Sequence, residues 1–258
     1  MHSTHARARE PRVETVRLHG LAHGGEAVGR LEDGKAVFVP FAIPGELATV
    51  RVTDERARWA RAELVEVLEP SPDRVEPACP LFGRCGGCAL QHIAGPRRRG
   101  LLRQVLVDQL QRIGGLDDPP VAEVRDAGEW AYRTSARFAI ARDGALGFRA
   151  AGSHDIVAVE HCPLLHPAAQ AVRSEVGPRY ERPGPEVEEV MVRAAARGDG
   201  ATLVTLPGAS GATITERVGG LEFRVSPGSF FQQNTVGAEI LLALVREAAA
   251  AAPGRAPR

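Results

Sequence analysis

The chain has 258 residues, room for one large domain or two to three small ones. With 44% hydrophobic and 25% charged residues it has the composition of a globular protein able to bury a core. No run of about 18 apolar residues offers a membrane span. Basic and acidic residues balance at 32 each, so net charge by itself points to no nucleic-acid partner.

Residues 1–12 are polar and rich in Arg and His, without the apolar stretch and small-residue cleavage site of a secretory signal, and read as a disordered tail. The expected setting is therefore the cytoplasm, where disulfides are rare. From Val13 the chain alternates short apolar-polar runs with glycine turns: Val13 to Leu18, Ala36 to Val39, Leu47 to Val52 and Ala62 to Leu68, with turns at His23-Gly24-Gly25-Glu26 and Pro44-Gly45-Glu46. So many short strands in so few residues predict a small closed β-barrel over 13–69, since an open sheet of that size leaves its edges unpaired. Pro70-Ser71-Pro72 then stiffens a linker.

Residues 70–115 form the next block, a cysteine loop followed by a helix. Leu101, Leu102, Val105, Leu106, Leu110 and Ile113 fall on one helical face, Arg99, Arg103 and Arg112 lie opposite, and Gly114-Gly115 stops the helix. Between Leu81 and Arg112 six arginines face one aspartate, and between Trp130 and Arg149 four arginines again face one. Guanidinium clusters of this kind hold phosphate backbones, so Arg97, Arg98, Arg99, Arg103 and Arg133 are candidate RNA contacts. The plainer explanation is a coding bias toward Arg, because Lys35 is the single lysine.

A third block, 116–234, reads as a mixed, mainly antiparallel α+β domain. Arg137 to Ala141 and Ala145 to Phe148 flank Arg142-Asp143-Gly144 as a hairpin. Strand patterns recur at Val187 to Arg193, Ala201 to Leu206, Thr213 to Arg217 and Leu221 to Val225. A helix follows within 235–258, over Glu239 to Ala252.

The cysteines carry the sharpest chemical signal. Cys79, Cys85 and Cys88 form a Cys-x5-Cys-x2-Cys cluster, with Gly86-Gly87 allowing close backbone approach, and Cys162 lies far along the chain in His161-Cys162-Pro163-Leu164-Leu165. Three clustered thiolates plus one distant one suit an iron–sulfur cluster. Structural zinc is the rival, although zinc sites usually present two close pairs. Two disulfides, or four plain packed cysteines, would also use all four residues. A cluster bound by all four would staple the second block onto the third and stabilise the fold.

These features together resemble the RNA uracil-5-methyltransferases that form 5-methyluridine in ribosomal and transfer RNA. Gly24 to Arg30, Val39-Pro40 and Pro44-Gly45-Glu46 resemble that family's TRAM domain, an OB-like RNA-binding barrel, and the four cysteines match its 4Fe-4S ligands. Trp130 to Arg133, Leu146 to Arg149 and Val159 to Leu165 resemble its central domain. Ser226 to Asn234 resembles its Phe-x-Gln-x-Asn segment, which implies that Gln232 contacts S-adenosylmethionine. In the family a Rossmann-like domain follows, with a nucleophilic cysteine, a carboxylate base and most of the methyl-donor site. That domain is not recognisable after Asn234.

The chemistry gives this weight, because C5 of uracil attacks the methyl donor only after a thiolate adds at C6, and a base must then remove the C5 proton. With all four thiols given to a cluster, none remains to attack. The expectation is thus the RNA-gripping part of such an enzyme, inactive alone unless a second chain supplies the catalytic domain. Against it stand a stand-alone RNA-binding iron–sulfur module and a zinc or redox protein. His161 reads more simply as an ordinary packed or exposed histidine. Phe230 and Phe231 could stack on a base or serve the core, Gln232 and Asn234 could merely cap the following helix, and Tyr132 beside Arg133 could face RNA.

Overall fold

Alternation along the first strands is what closes the barrel. In the computed structural model, which describes residues 12–182 and 187–251, β1 (Val13–Leu21), β2 (Ala27–Arg30), β3 (Ala36–Val39), β4 (Leu47–Glu55) and β5 (Trp59–Glu69) form a closed barrel in the order β1-β2-β3-β5-β4. Only β3 and β5 pair in parallel. Every second side chain points inward, so Val16, Leu18, Val37, Val39, Ala48, Val50, Ala60 and Ala62 are buried together. Gly29 sits inside this packing, where an added Cβ would stand 2.4 Å from Cγ1 of Val16, so the interior admits no side chain there. The Gly24-Gly25 turn thus leads into a strand, β2, that carries no strand pattern of its own.

The chain divides into two compact units. One comprises Met1–Pro77 and Cys88–Val124, the other Ala78–Gly87 and Arg125–Arg258. The expected tail at 1–12, apart from Arg12, lies outside the described residues, as does the expected helix end at Ala252.

In the first unit the barrel is joined to its helix through one buried carboxylate. Glu46, fully buried at the turn before β4, accepts from Arg74 Nε and Nη2, both at 2.7 Å, and from the backbone N–H groups of Ile43 (2.8 Å) and Ser71 (3.1 Å). Burial alone would raise its pKa, but the Arg74 hydrogen bonds and the two N–H groups prevail and hold it below the usual glutamate range. Arg74 also donates to the Phe41 carbonyl (3.0 Å). The linker so anchored pairs with the stretch ahead of the helix: Arg74 bridges Ile93, Val75 N–H donates to His92 O, and Ala94 N–H donates to Asp73 O.

From there α1 (Gly95–Arg112) starts with Pro96 in its first turn and packs Leu101 against Ile43 and Ile93. The structure corrects the expectation of a single apolar face. Leu101 and Val105 are buried, whereas Leu102, Leu106 and Ile113 are exposed. Residues one position apart lie about 100° around the helix, so the six apolar positions form two neighbouring stripes, of which only the 101/105 stripe is buried.

The second unit is built on a five-stranded antiparallel sheet in the order β10-β9-β6-β7-β8. Its strands are β6 (Ser135–Ile140), β7 (Leu146–Arg149), β8 (Ile156–Ala158), β9 (Glu189–Ala194) and β10 (Ala201–Leu206). β6 and β7 form the hairpin expected around Arg142-Asp143-Gly144. Helix α2 (Pro167–Glu175), for which the sequence pattern offered no strong signal, packs on β9 and β10. It carries Arg173, buried over the Phe138 ring at 5.7 Å and donating to Val159 O and Gly177 O.

A second hairpin, β11 (Ile214–Val218) and β12 (Leu221–Val225), precedes α3 (Thr235–Ala251). Glu216 on β11 is buried, accepting from the N–H groups of Ala196 (2.7 Å), Arg197 (2.9 Å) and Arg217 (2.9 Å) and from the Thr235 hydroxyl (3.3 Å). It thereby ties the end of β9 and the start of α3 to the hairpin.

Replacing Arg74 by Met should destabilise the first unit by about 3–5 kcal/mol in urea titrations at pH 7, because it strands a buried carboxylate. Since the folded pKa of Glu46 is depressed, its stabilisation is present above the ordinary glutamate pKa and is lost as pH falls through the folded value. Stability of the parent should therefore drop on acidification below about pH 4, and the Glu46→Gln variant should show a shallower drop.

Candidate functional site

The cysteine loop is held by backbone contacts within the second unit. Phe82 N–H donates to Cys79 O and Cys85 N–H to Leu81 O, forming a tight turn. Cys85 then bridges Ala150, with Gly86 N–H donating to Arg149 O (2.9 Å) and Ala151 N–H to Arg84 O (3.0 Å). A Cβ on Gly86 would stand 2.9 Å from the Arg149 carbonyl oxygen, so this docking gives the glycine a structural reason of its own. Gly87 N–H donates to Cys85 Sγ (3.4 Å).

Cys162 is buried, and its N–H donates to Oε1 of Gln170 on α2 (3.1 Å), whose Nε2 donates to Glu160 O (2.8 Å). Cys88 begins the stretch returning to the first unit. Four soft sulfur donors suit an iron–sulfur cluster or zinc. Among the described residues, however, no group of three or more His, Cys, Asp or Glu side chains is gathered to hold a metal ion. His161 is exposed.

The segment from Ser226 to Asn234 is clamped on several sides, and Gln232 is exposed within it. Arg193, buried on β9, donates to Ser226 O (2.7 Å) and Ser229 O (2.8 Å). Burial lowers its pKa from the usual arginine range, which reflects how far it is withdrawn from water. Thr134, also buried, donates through its N–H (2.8 Å) and hydroxyl (3.1 Å) to Gln233 O.

Asn234 caps α3, with Oδ1 accepting from Gly237 N–H (2.8 Å), while its Nδ2 donates to Ala127 O (2.9 Å). Of the two aromatic residues, Phe231 packs against Ala195, Ile214 and Val225, whereas Phe230 is 83% exposed. One segment thus holds a residue packed on the core, a cap and several solvent-facing side chains, Phe230 and Gln232 among them.

The arginines separate by unit and by environment. Arg97 pairs with Asp73 at 3.6 Å on the surface. Arg98 reaches toward the carbonyls of Leu90 and Ile93, each at 3.5 Å, and Arg99 is half-buried. Arg103, placed by the helical pattern on the solvent side, instead donates twice to Val121 O (2.9 and 2.6 Å) and serves to fasten the chain after α1. Arg133 belongs to the second unit. Its backbone is stitched to Leu164 and His166, and its buried Nε has no hydrogen-bond partner.

A groove in the first unit, about 740 Å³ in volume, gathers Arg97 and Arg112 from α1 with His19, His23, Arg30 and Phe38 from the barrel. The barrel residues of this groove went unmarked in the sequence. The signal that could have found them is the parity opposite to the buried positions of β1 to β3.

Residues 7–65 match the TRAM domain family. An uncharacterized RNA methyltransferase of Streptomyces coelicolor is 32% identical over 92% of this chain and 62% of its own length. The 23S rRNA (uracil(1939)-C(5))-methyltransferase of Pectobacterium atrosepticum is 32% identical over 85% of this chain and 57% of its own. Over most of its length the chain is homologous to RNA uracil-C5 methyltransferases.

The fold agrees. The Pyrococcus abyssi tRNA (uracil-54, C5)-methyltransferase, solved with S-adenosyl-L-homocysteine, superposes with a TM-score of 0.63 at 22% identity, covering 90% of this chain and 64% of that one. The chain spans less than two thirds of the length of these relatives.

Arg193→Met should loosen the Gln232 segment without unfolding the sheet, since it removes the charged hydrogen bonds that Arg193 donates to Ser226 O and Ser229 O, at a cost of about 1–3 kcal/mol. Hydrogen exchange should show faster labelling across residues 226–234 and unchanged protection in the barrel strands.

Proposed function

We propose that this chain is the RNA-binding portion of an S-adenosylmethionine-dependent RNA uracil-C5 methyltransferase, acting on ribosomal or transfer RNA in the reducing cytoplasm. The observation that carries the reading is homology to such an enzyme over 85% of the chain in one alignment, together with the TRAM match of residues 7–65. In this reading the TRAM barrel and the arginine-bearing surfaces around Arg97, Arg98, Arg99 and Arg133 hold RNA. Arg103 contributes indirectly, by fixing the chain after α1.

Gln232 is assigned to the methyl donor. Its exposure on a clamped segment supports that role, because a side chain that must meet a ligand needs a fixed backbone and an open face. Cys79, Cys85, Cys88 and Cys162 are assigned to a 4Fe-4S cluster with a structural role. The spacing, the sulfur donor set and the N–H contact to Cys85 support the assignment.

No catalytic thiol is left in that assignment, so addition at C6 of uracil falls to a residue outside this set of cysteines, in the same polypeptide or in a second chain. The TRAM barrel and the segment that includes Gln232 then serve to place the target uridine and the methyl donor.

The test combines metal analysis with RNA binding on anaerobically purified protein. Iron and sulfide near four each per chain, lost in Cys162→Ala, are expected, whereas stoichiometric zinc would overturn the cluster. RNA should bind in the micromolar range and weaken steeply between 50 and 200 mM salt. Binding indifferent to salt would count against a phosphate-holding surface, and methyl transfer to uridine by this chain alone would refute the assignment of all four thiols.

A further inference from the structure

The strand alternation that fills the barrel also dictates what its outer surface presents. With Val16, Leu18, Val37 and Val39 inside, the residues of opposite parity, among them His19, Val28, Arg30 and Phe38, face outward. They form one wall of the 740 Å³ groove, and α1 forms the other with Arg97, Gln104, Asp108 and Arg112. Asp108 is the one carboxylate among the lining residues, and it accepts from Gln104 Nε2 at 3.0 Å. Arg30 is steadied by donating to Gly34 O at 2.9 Å, and Arg112 is exposed in the last turn of the helix.

Phe38 connects this basic groove to an aromatic surface. Parallel pairing of β3 with β5 sets Arg61 opposite Phe38 and Trp59 opposite Ala36. The Phe38 and Trp59 rings meet edge to face at 6.3 Å, both partly exposed, and the Arg61 guanidinium lies 6.0 Å over the Trp59 ring. Cations along a groove that ends on solvent-accessible rings form a surface for single-stranded nucleic acid, with phosphates drawn to guanidinium groups and bases laid on aromatic faces. A duplex would gain little from the rings, because its bases are already stacked on one another.

We propose that this groove binds an unpaired stretch of RNA, with phosphates at Arg30, Arg97 and Arg112 and a base stacked on the Phe38–Trp59 pair. The inference rests on the reading of the chain as part of an RNA-modifying enzyme. It adds that α1 supplies half of the RNA site and that the barrel does not act alone.

Fluorescence anisotropy of the full chain with a labelled oligoribonucleotide of about 12 nucleotides, and with the same strand in a duplex, tests it. The single strand should bind more tightly. Arg30→Gln combined with Arg112→Gln should weaken binding and lower the slope of log affinity against log salt by about 1.4, two phosphate contacts' worth. Phe38→Ala should weaken binding about tenfold at an unchanged salt slope, and Phe38→Tyr should restore it. Thermal melts of each variant establish that it is folded.

Equal or better binding of the duplex would overturn the proposal, as would folded variants that bind like the parent. In that second case RNA binding itself survives, so the functional reading stands while the groove is lost. Failure of the parent to bind any RNA would remove both.

Discussion

A carboxylate buried without access to water has to be neutralised where it stands, and in the first unit that requirement fixes more than one turn. Glu46 collects a two-pronged arginine and two backbone N–H groups. The arginine comes from the linker, so satisfying the charge also dictates where the linker runs. The linker in turn pairs with the residues ahead of α1. The buried ion pair therefore acts with the packing of Leu101 on Ile43 and Ile93 to hold barrel, linker and helix in one arrangement, and the groove between barrel and helix inherits its shape from that arrangement. A hydrophobic pair of similar volume could stabilise the turn as well, but it would not specify the path of the linker in the same way.

The second unit uses the same device with backbone donors. Glu216 is matched by three N–H groups and the Thr235 hydroxyl, and it joins the end of β9, the β11–β12 hairpin and the start of α3. Arg193 supplies the opposite charge nearby, satisfying the carbonyls of Ser226 and Ser229. Between these anchors the segment bearing Gln232 has little freedom left in its backbone, although the Gln232 side chain faces solvent. A rigid backbone that presents an exposed amide is what a binding segment requires, because the ordering cost is met on folding and not on binding.

Much of the fold was legible because its elements obey local rules. The barrel could be read from strict alternation broken by glycine turns, the β6–β7 hairpin from Arg142-Asp143-Gly144, and the end of α1 from Gly114-Gly115. The exceptions have physical reasons. β2 is four residues long and contains Gly29, so it carries almost no pattern. β8 has three residues. Helix α2 has nine residues and starts at a His166–Pro167 cap, a weaker signal than Ser or Asp before an apolar run. Arg103 shows the limit of helical-face reasoning, since a long side chain on a face that looked solvated bends back to the Val121 carbonyl.

The candidate site divides along the same line. Sequence by itself determined the chemistry that is available: four thiols in a three-plus-one spacing, a Phe-x-Gln-x-Asn segment and a surplus of arginine around α1. It did so because residue identity and spacing are properties of the chain. Only the tertiary structure decided which arginines line a groove and which are consumed by backbone carbonyls, that Phe231 is core while Phe230 is exposed, and that Phe38, Arg30 and Arg112 share one surface. Those outcomes depend on which stripe of a helix finds a partner and which parity of a strand faces out. Packing between elements distant in sequence settles both.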